Sequence, residues 1–441
     1  MTKSRYGPMS DSSRLVRAFL ATGRPGTAIL DSCGIGVKRS LLIAASEPVE
    51  TLSFDIKERP DSIFEEMQKA FSMGLAAIFT ISYDFGHALE PRLSTRIQLG
   101  SPEPAVFVAL YDRLLVHDYH TRRSCWKGGN RVREPYFAAK GHSLDVPPIQ
   151  DKIARSNFSR ESYCSAVELI KERIRRGDTY QVNLTQKIEF DLESSLSSAE
   201  IFLRLRQDNP SQFAAYIDRG ESQVVSTSPE SFFRTSRGRI EASPIKGTRP
   251  RGGNRREDMA FRQDLAQSAK DRAENTMIVD LLRNDLGRVC RYGSVRVEGL
   301  CEIEAHPTLF HLVSRVSGEL EKGIVFADLL KALFPCGSIT GAPKIRTMEI
   351  IDDIEQLPRG LSMGAIGYFI PESGFDMESG FDLSVAIRTM VARGRRAEFN
   401  VGGGVVIDSD GEAEYKESLL KAKALLNAAG VTNIEPSTAS S

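Results

Sequence analysis

The chain has 441 residues, in which 58 Lys and Arg are balanced by 58 Asp and Glu, for a pI near 7.0. That balance argues against a nucleic-acid partner, which asks for a basic face. No run approaches the roughly 18 consecutive apolar residues that would span a bilayer, so no membrane association is expected. A hydrophobic content of 41% is ample for a large core.

Met1 to Ser13 is polar and does not read as a secretory signal. The six cysteines are scattered without a C-x-x-C pair, so neither a disulfide framework nor a structural zinc site is expected. A cytoplasmic location follows from this usage. There is no H-E-x-x-H among the six histidines, which excludes that class of zinc hydrolase.

In chain order, Leu41–Ala44, Ala76–Phe79 and Val106–Leu110 read as strands, and Asp61–Phe71 has helical spacing. Residues 1–150 are taken as an N-terminal scaffold with room for a regulatory pocket, closed by a Gly-, Arg- and Pro-rich connector over Trp126–Asp151. Residues 151–430 form the catalytic region. Phe158–Arg176 is an amphipathic helix stopped by Gly177, and Tyr180–Leu184 is a strand. A helix carries Leu203 and Leu205, and strands follow at Phe213–Ile217 and Val224–Val225. Asn254–Arg288 reads as one long helical stretch. Phe326–Leu333 and Ile345–Ile354 follow, then strand-like Gly364–Ile370 and Ser384–Val391 and a last helix from Gly411 to Ala429. Residues 431–441 are expected to be a flexible tail.

Two motifs fail on their own mechanics. Gly360-Leu361-Ser362-Met363-Gly364 matches a nucleophile elbow, but no His follows His311 to complete the triad. Gly337–Lys344 resembles a phosphate loop with three residues between its glycines instead of four, and Pro343 removes an amide donor. Gly402-Gly403-Gly404 is either a bulged strand or a place where the backbone comes close to a ligand.

More chemistry sits on two acidic helix faces. Asp271 and Glu274 share one face of a helix, as do Glu414, Glu417 and Lys421 on another. Such faces are ordinarily solvated, but two in one chain suit a hard, oxygen-seeking cation. Lys246 lies between Pro244-Ile245 and Gly247-Thr248, with Arg249 and Arg251 close by in sequence. Crowding by those cations would make it a nucleophile, with Glu230 of Ser228-Pro229-Glu230 as proton donor or acceptor.

Together these segments resemble the chorismate-utilising enzymes. The resemblance rests on Gly177–Leu184, Ser228–Glu230, Pro244–Pro250, Ile278–Asp285, Gly337–Lys344, Gly364–Tyr368 and Gly402–Lys421, and covers roughly residues 155 to 428. Relatives that make anthranilate, salicylate or isochorismate carry Ala where this chain has Lys246, and water-adding relatives carry Lys in place of Gln181. Lys246 with Gln181 thus looks like the aminodeoxychorismate synthase component I branch, which places an amino group at C4 of chorismate. The resemblance implies addition of Lys246 at C2 while the C4 hydroxyl leaves, protonated by Glu230, and then attack of ammonia at C4. It implies an α+β fold of stacked antiparallel sheets, a β-sandwich with helices packed outside and the site between the sheets.

The resemblance also makes Glu274 and Glu417 ligands of Mg²⁺, with Asp271 and Glu414 beside them. It gives Arg388, Lys421 and the amides of Gly402 and Gly404 to the substrate carboxylates, and Gln181, Thr248, His311 and Thr340 to the pocket wall. Ser362 departs from the usual Tyr or Trp, Cys336 from Gly, and Asp271 from Glu. With no glutaminase expected within the chain, ammonia would come from a separate amidotransferase subunit. The alternatives are anthranilate or isochorismate synthesis, and a non-catalytic chorismate-binding regulatory subunit.

Overall fold

The computed structural model describes residues 11–35, 40–97, 101–129, 152–193, 196–306 and 309–437. Every residue of Ala76–Ile81 and of Val106–Tyr111 is buried. Strands that read as continuous apolar runs need cover on both faces, and the chain supplies it with layers. Among the described residues there are two sheets, of 12 and 10 strands. Neighbouring strands run antiparallel, except that Val431–Pro436 lies parallel to Lys152–Ser156.

The inner faces meet in one apolar layer, where Ile43, Ala215 and Val391 of the larger sheet pack on Ile78, Phe107 and Ile366 of the smaller. The outer face of the larger sheet is covered by helices Asp11–Leu20, Ser198–Asp208 and Gly411–Ala429, through Val16, Phe202 and Leu425. Pro60–Ser72, Ala269–Gly287 and Phe326–Leu333 cover the smaller, through Phe71, Ile278 and Leu330. The α+β sandwich with helices outside is therefore the architecture of this chain.

The boundary near residue 150 does not divide the sheets. Ala28–Asp31 and Leu41–Ala45 sit in the larger sheet beside Phe213–Asp218, while Ala76–Ile81 sits in the smaller between Ala365–Ile370 and Val106–Tyr111. Arg123–Gly128, at the start of the expected connector, is a strand, and 130–151 lies outside the described residues. The expected flexible tail begins instead as the strand Val431–Pro436, with 438–441 outside the described residues.

Two expected elements are split. Asn254–Arg288 is two helices, Arg255–Gln267 and Ala269–Gly287. Ser268 breaks it: its backbone is extended and its hydroxyl accepts the Asp271 N–H at 3.3 Å, an N-cap inside an apparently continuous pattern. Ser384–Val391 is likewise two strands, Gly380–Val385 in the smaller sheet and Thr389–Arg393 in the larger. The chain crosses between the sheets at Ala386–Arg388, where Arg388 takes φ +48°.

Candidate active site

The site lies where Gln181–Asp191 and Arg396–Val405 of the larger sheet, Ile245–Pro250 of the smaller, and helices Ala269–Gly287 and Gly411–Ala429 come together. Lys246 is half-buried, and its Nζ donates to the Ser338 carbonyl at 3.3 Å. Glu230, Glu274 and Glu417 all lie within electrostatic reach of its ammonium. Its neighbours are thus carboxylates. Arg249 and Arg251, expected to crowd it, point to Asp264 and Asp271 and to Asp258. A register shift between Ile245 and Thr248 interrupts the alternation of this strand, and Arg249 lies beyond it, turned toward Asp271.

Glu230 is 5% exposed, and its Oε1 has no partner among the described residues. Burial pushes its carboxyl up, outweighing the Ser338 hydroxyl, Lys246, the Ile245 amide and Lys421. The result favours a protonated acid facing the site. Gln181 is fully buried with both amide atoms unpartnered among the described residues, and Asn183, two residues on, has an unpartnered Nδ2. Buried amides left bare in this way need a ligand or water. A Cβ at Gly404 would stand 2.6 Å from Gln181 Nε2, so the glycine makes room for this side chain.

Strand register directs two further donors. The N–H groups of Asn183 and Thr185 bond to Thr340 O and Glu355 Oε1, away from the partner strand. Their cross-strand partners Gly404 and Gly402 are therefore in non-hydrogen-bonded pairs, with their own N–H groups also turned away. On that far side Thr389–Arg393 pairs only as far as Glu398, which leaves an open edge beyond it. Lys421 Nζ donates to Gly402 O at 3.0 Å and meets Glu417 Oε1 at 2.8 Å. Glu417 is at the exposed rim; enclosure works upward on its carboxyl, but Lys421 prevails and holds it below the usual range.

Glu274 is half-buried and its carboxyl is pushed up by burial, against the pull of Lys246 and Lys270. Lys270 stands between the two acidic helices, 4.0 Å from Glu274 Oε1 and 3.6 Å from Glu414 Oε1. Glu414 also accepts from Ser409 Oγ at 2.7 Å, and Asp271 is held by Arg249 at 3.2 Å. Among the described residues no three His, Cys, Asp or Glu side chains form a preassembled metal cluster. In kind the donor set fits Mg²⁺, since it consists of carboxylate oxygens whose charge is answered here by lysine ammonium groups and, at Asp271, by the Arg249 guanidinium.

On the opposite wall, Thr248 Oγ1 and His311 Nδ1 share a hydrogen bond of 2.9 Å. Burial, then His306 and Arg388, push the His311 imidazole down to about 3, so the ring is neutral. Arg388 has no anionic partner among the described residues, and enclosure alone pushes its guanidinium down. Thr340 turns its hydroxyl to Cys336 O at 3.0 Å, on its own loop. Ser362 is buried, donating to Thr389 O and accepting from the Asn400 amide at 3.2 and 2.9 Å, so it ties strands together. Lys344 of the phosphate-like loop is sequestered by Asp285 at 2.8 Å.

Sequence reasoning passed over Ser338, Asn183 and Lys270. Asn183 follows Gln181 by the strand period, and Lys270 precedes Glu274 by one helical turn, so both carried a readable signal. Ser338 carried none, because only tertiary contact sets its carbonyl against Lys246. Beside the site, a cavity of about 260 Å³ opens between the sheets, walled by Asp31, Arg234 and Tyr368 and reaching Pro229, Ser231 and Ile245, the sequence neighbours of Glu230 and Lys246.

This fold, with acids and cations gathered between its sheets, defines a class: the chain belongs to the chorismate binding enzyme family, whose sequence model matches residues 19–427. Its similarities run to more than one branch. It is 37% identical to "Aminodeoxychorismate synthase component 1" of Bacillus subtilis, over 80% of this chain and 76% of that protein. It is 42% identical to "Anthranilate synthase component 1" of Aquifex aeolicus, over 82% and 76%. It spans half the length of the "Aminodeoxychorismate synthase" of Streptomyces griseus, at 37% identity over 82% of this chain. The crystal structure of anthranilate synthase component I from Streptococcus pneumoniae superposes with a TM-score of 0.73 at 27% identity, covering 88% of this chain and 93% of that one.

Proposed function

We propose that this chorismate-utilising enzyme is an aminodeoxychorismate synthase component I, converting chorismate and ammonia to 4-amino-4-deoxychorismate for 4-aminobenzoate and folate synthesis. The observation that carries the reading is Lys246 within reach of Glu230, with the bare amide of Gln181 on a strand of the other sheet. Lys246 Nζ, as the free amine once its ammonium proton has passed to solvent, would bond to C2 of the ring while the C4 hydroxyl departs as water, taking its proton from Glu230. Ammonia would then bond to C4 and the bond from Lys246 to C2 would break, returning the amine. Neutral His311 and Thr248 would line the C4 side, with Gln181 opposite. The Arg388 guanidinium, which has no anionic partner among the described residues, Lys421 and the Gly402 and Gly404 amides would hold the two carboxylates.

Glu274 and Glu417 would hold Mg²⁺, with Asp271 and Glu414 beside them. When bound it would neutralise the ring carboxylate and fix its orientation. Relatives named as component 1 support a partner, and a glutaminase subunit is proposed as the source of ammonia. No helix among the described residues is long and apolar enough to cross a membrane.

Incubation of the chain with chorismate, Mg²⁺ and ammonium, followed by product analysis, tests this. The expected product is 4-amino-4-deoxychorismate, lost in Lys246→Ala. Anthranilate or isochorismate from the wild type would overturn it, and binding of chorismate without turnover would favour a regulatory subunit. Adding a glutaminase subunit is expected to let glutamine replace ammonium.

A further inference from the structure

The strand Gln181–Asp191 has a gap along one edge. Gln181 and Val182 pair with Ala342 and Gly341, and pairing resumes only where Ile188 and Glu189 meet Ser156 and Arg155. Within the gap, Asn157 Oδ1 accepts the Lys187 N–H at 2.8 Å, and two further backbone groups are met by the side chains of one ion pair. Arg359 Nη2 donates to Asn183 O at 2.7 Å, and Glu355 Oε1 accepts the Thr185 N–H at 2.7 Å. The two side chains also bind each other, at 2.6 and 2.9 Å, and are 1% and 3% exposed. Arg359 Nη1 reaches Ile339 O at 2.9 Å, and Thr185 Oγ1 donates to Glu355 Oε2 at 2.9 Å. Tyr83 lies against the guanidinium, 4.5 Å from its ring centroid, and Asp84 accepts the backbone N–H groups of Arg359 and Gly360.

We propose that the Glu355–Arg359 pair is a positioning device for the reaction, a side-chain substitute for the missing strand that holds the strand Gln181–Asp191 and the 337–340 loop in register. Each backbone atom it grips adjoins a group aimed into the site. Asn183 O belongs to the residue two beyond Gln181, and Thr185 sits opposite Gly402. Ile339 lies between Thr340 and Ser338, the acceptor for Lys246. A buried ion pair is a poor source of net stability, since an apolar pair of like volume is often as good. What it offers here is direction, because the planar fork and the carboxylate fix three backbone groups on two segments at once. Neither residue touches substrate; they act through Gln181, Asn183 and the 337–340 loop.

The proposal rests on the function above only for the reaction it serves. Chorismate consumption by the full chain with Mg²⁺ and ammonium, whatever the product, is measured for Arg359→Lys, alongside amide hydrogen exchange. Lysine keeps the charge but loses the fork. We expect kcat to fall by about 10–100-fold, with faster exchange in peptides covering 181–187 and 336–342 and none in Ala76–Ile81. Glu355→Gln carries the same expectation if Arg359→Lys is insoluble. Wild-type exchange in a folded variant would overturn the clamp, and faster exchange with wild-type kcat would overturn its service to the reaction. A wild type that makes another product sinks the proposed function alone; one that consumes no chorismate leaves the exchange experiment to decide the clamp.

Discussion

Buried, beside His306 and facing Arg388, the His311 imidazole is held down to about 3, while in the unfolded chain it takes a proton near its usual 6.5. Between those values the unfolded state binds more protons than the folded one, so the fold loses stability as pH falls below about 6.5. By pH 5 this one group would cost about 2 kcal/mol relative to pH 7.5. Urea unfolding at the two pH values is expected to show that loss reduced in His311→Asn; an equal loss would mean that other groups carry it. Glu230 moves in the opposite sense, its raised carboxyl favouring the neutral acid. Glu230→Gln keeps the shape and removes the transferable proton, so chorismate turnover should fall by about 10²–10⁴-fold while chorismate binding persists in a titration. At this scale the residue types were legible and their neighbours were not. Lys246 stood out from its surrounding motif, yet the groups around it are acids from three other segments.

Strands and helices were read well where the pattern was long. They were misread where one residue redirected the chain: Ser268 caps a helix inside a helical pattern, and Arg388 turns the chain from one sheet to the other. The three glycines opposite Leu184 illustrate what pattern alone leaves open. A Cβ at Gly402 would stand 1.8 Å from the Leu184 carbonyl oxygen, whereas one at Gly403 meets only side-chain ends, those of Glu414, Lys421 and Glu417 at 3.2, 3.4 and 3.6 Å. Gly402→Ala should destabilise the chain by about 3 kcal/mol or more, and Gly403→Ala by about 1 kcal/mol or less. Chemical denaturation of the two variants checks the order, and equal losses would refute the close approach. The expected bulge is absent: Arg396–Val405 pairs with Val182–Asp191 without a register shift, and the glycine at 402 serves the close approach of the two strands.

For the whole molecule, the α+β sandwich followed from the resemblance and not from periodicity, because runs buried on both faces look alike in parallel and antiparallel sheets. Which halves of the chain share a sheet was not legible at all, since strand order is set by contacts far apart in sequence. A fragment of residues 152–441 would lose Ala76–Ile81 from beside Ala365–Ile370 and uncover the layer around Ile366 and Val391. It should show no near-ultraviolet dichroism and be cut rapidly by protease; a folded fragment would refute this reading. The same interleaving bears on synthesis. In the hairpin of Ala28–Asp31 and Leu41–Ala45, the second strand pairs outward with Arg113–Asp118, but the first finds its outer neighbour only in Phe213–Asp218. At ribosomal speeds that wait lasts roughly 10–30 s, during which an apolar strand edge emerges unpaired. A nascent chain of this kind needs shelter during translation, and folding of the larger sheet is completed only when Val431–Pro436 docks beside Lys152–Ser156.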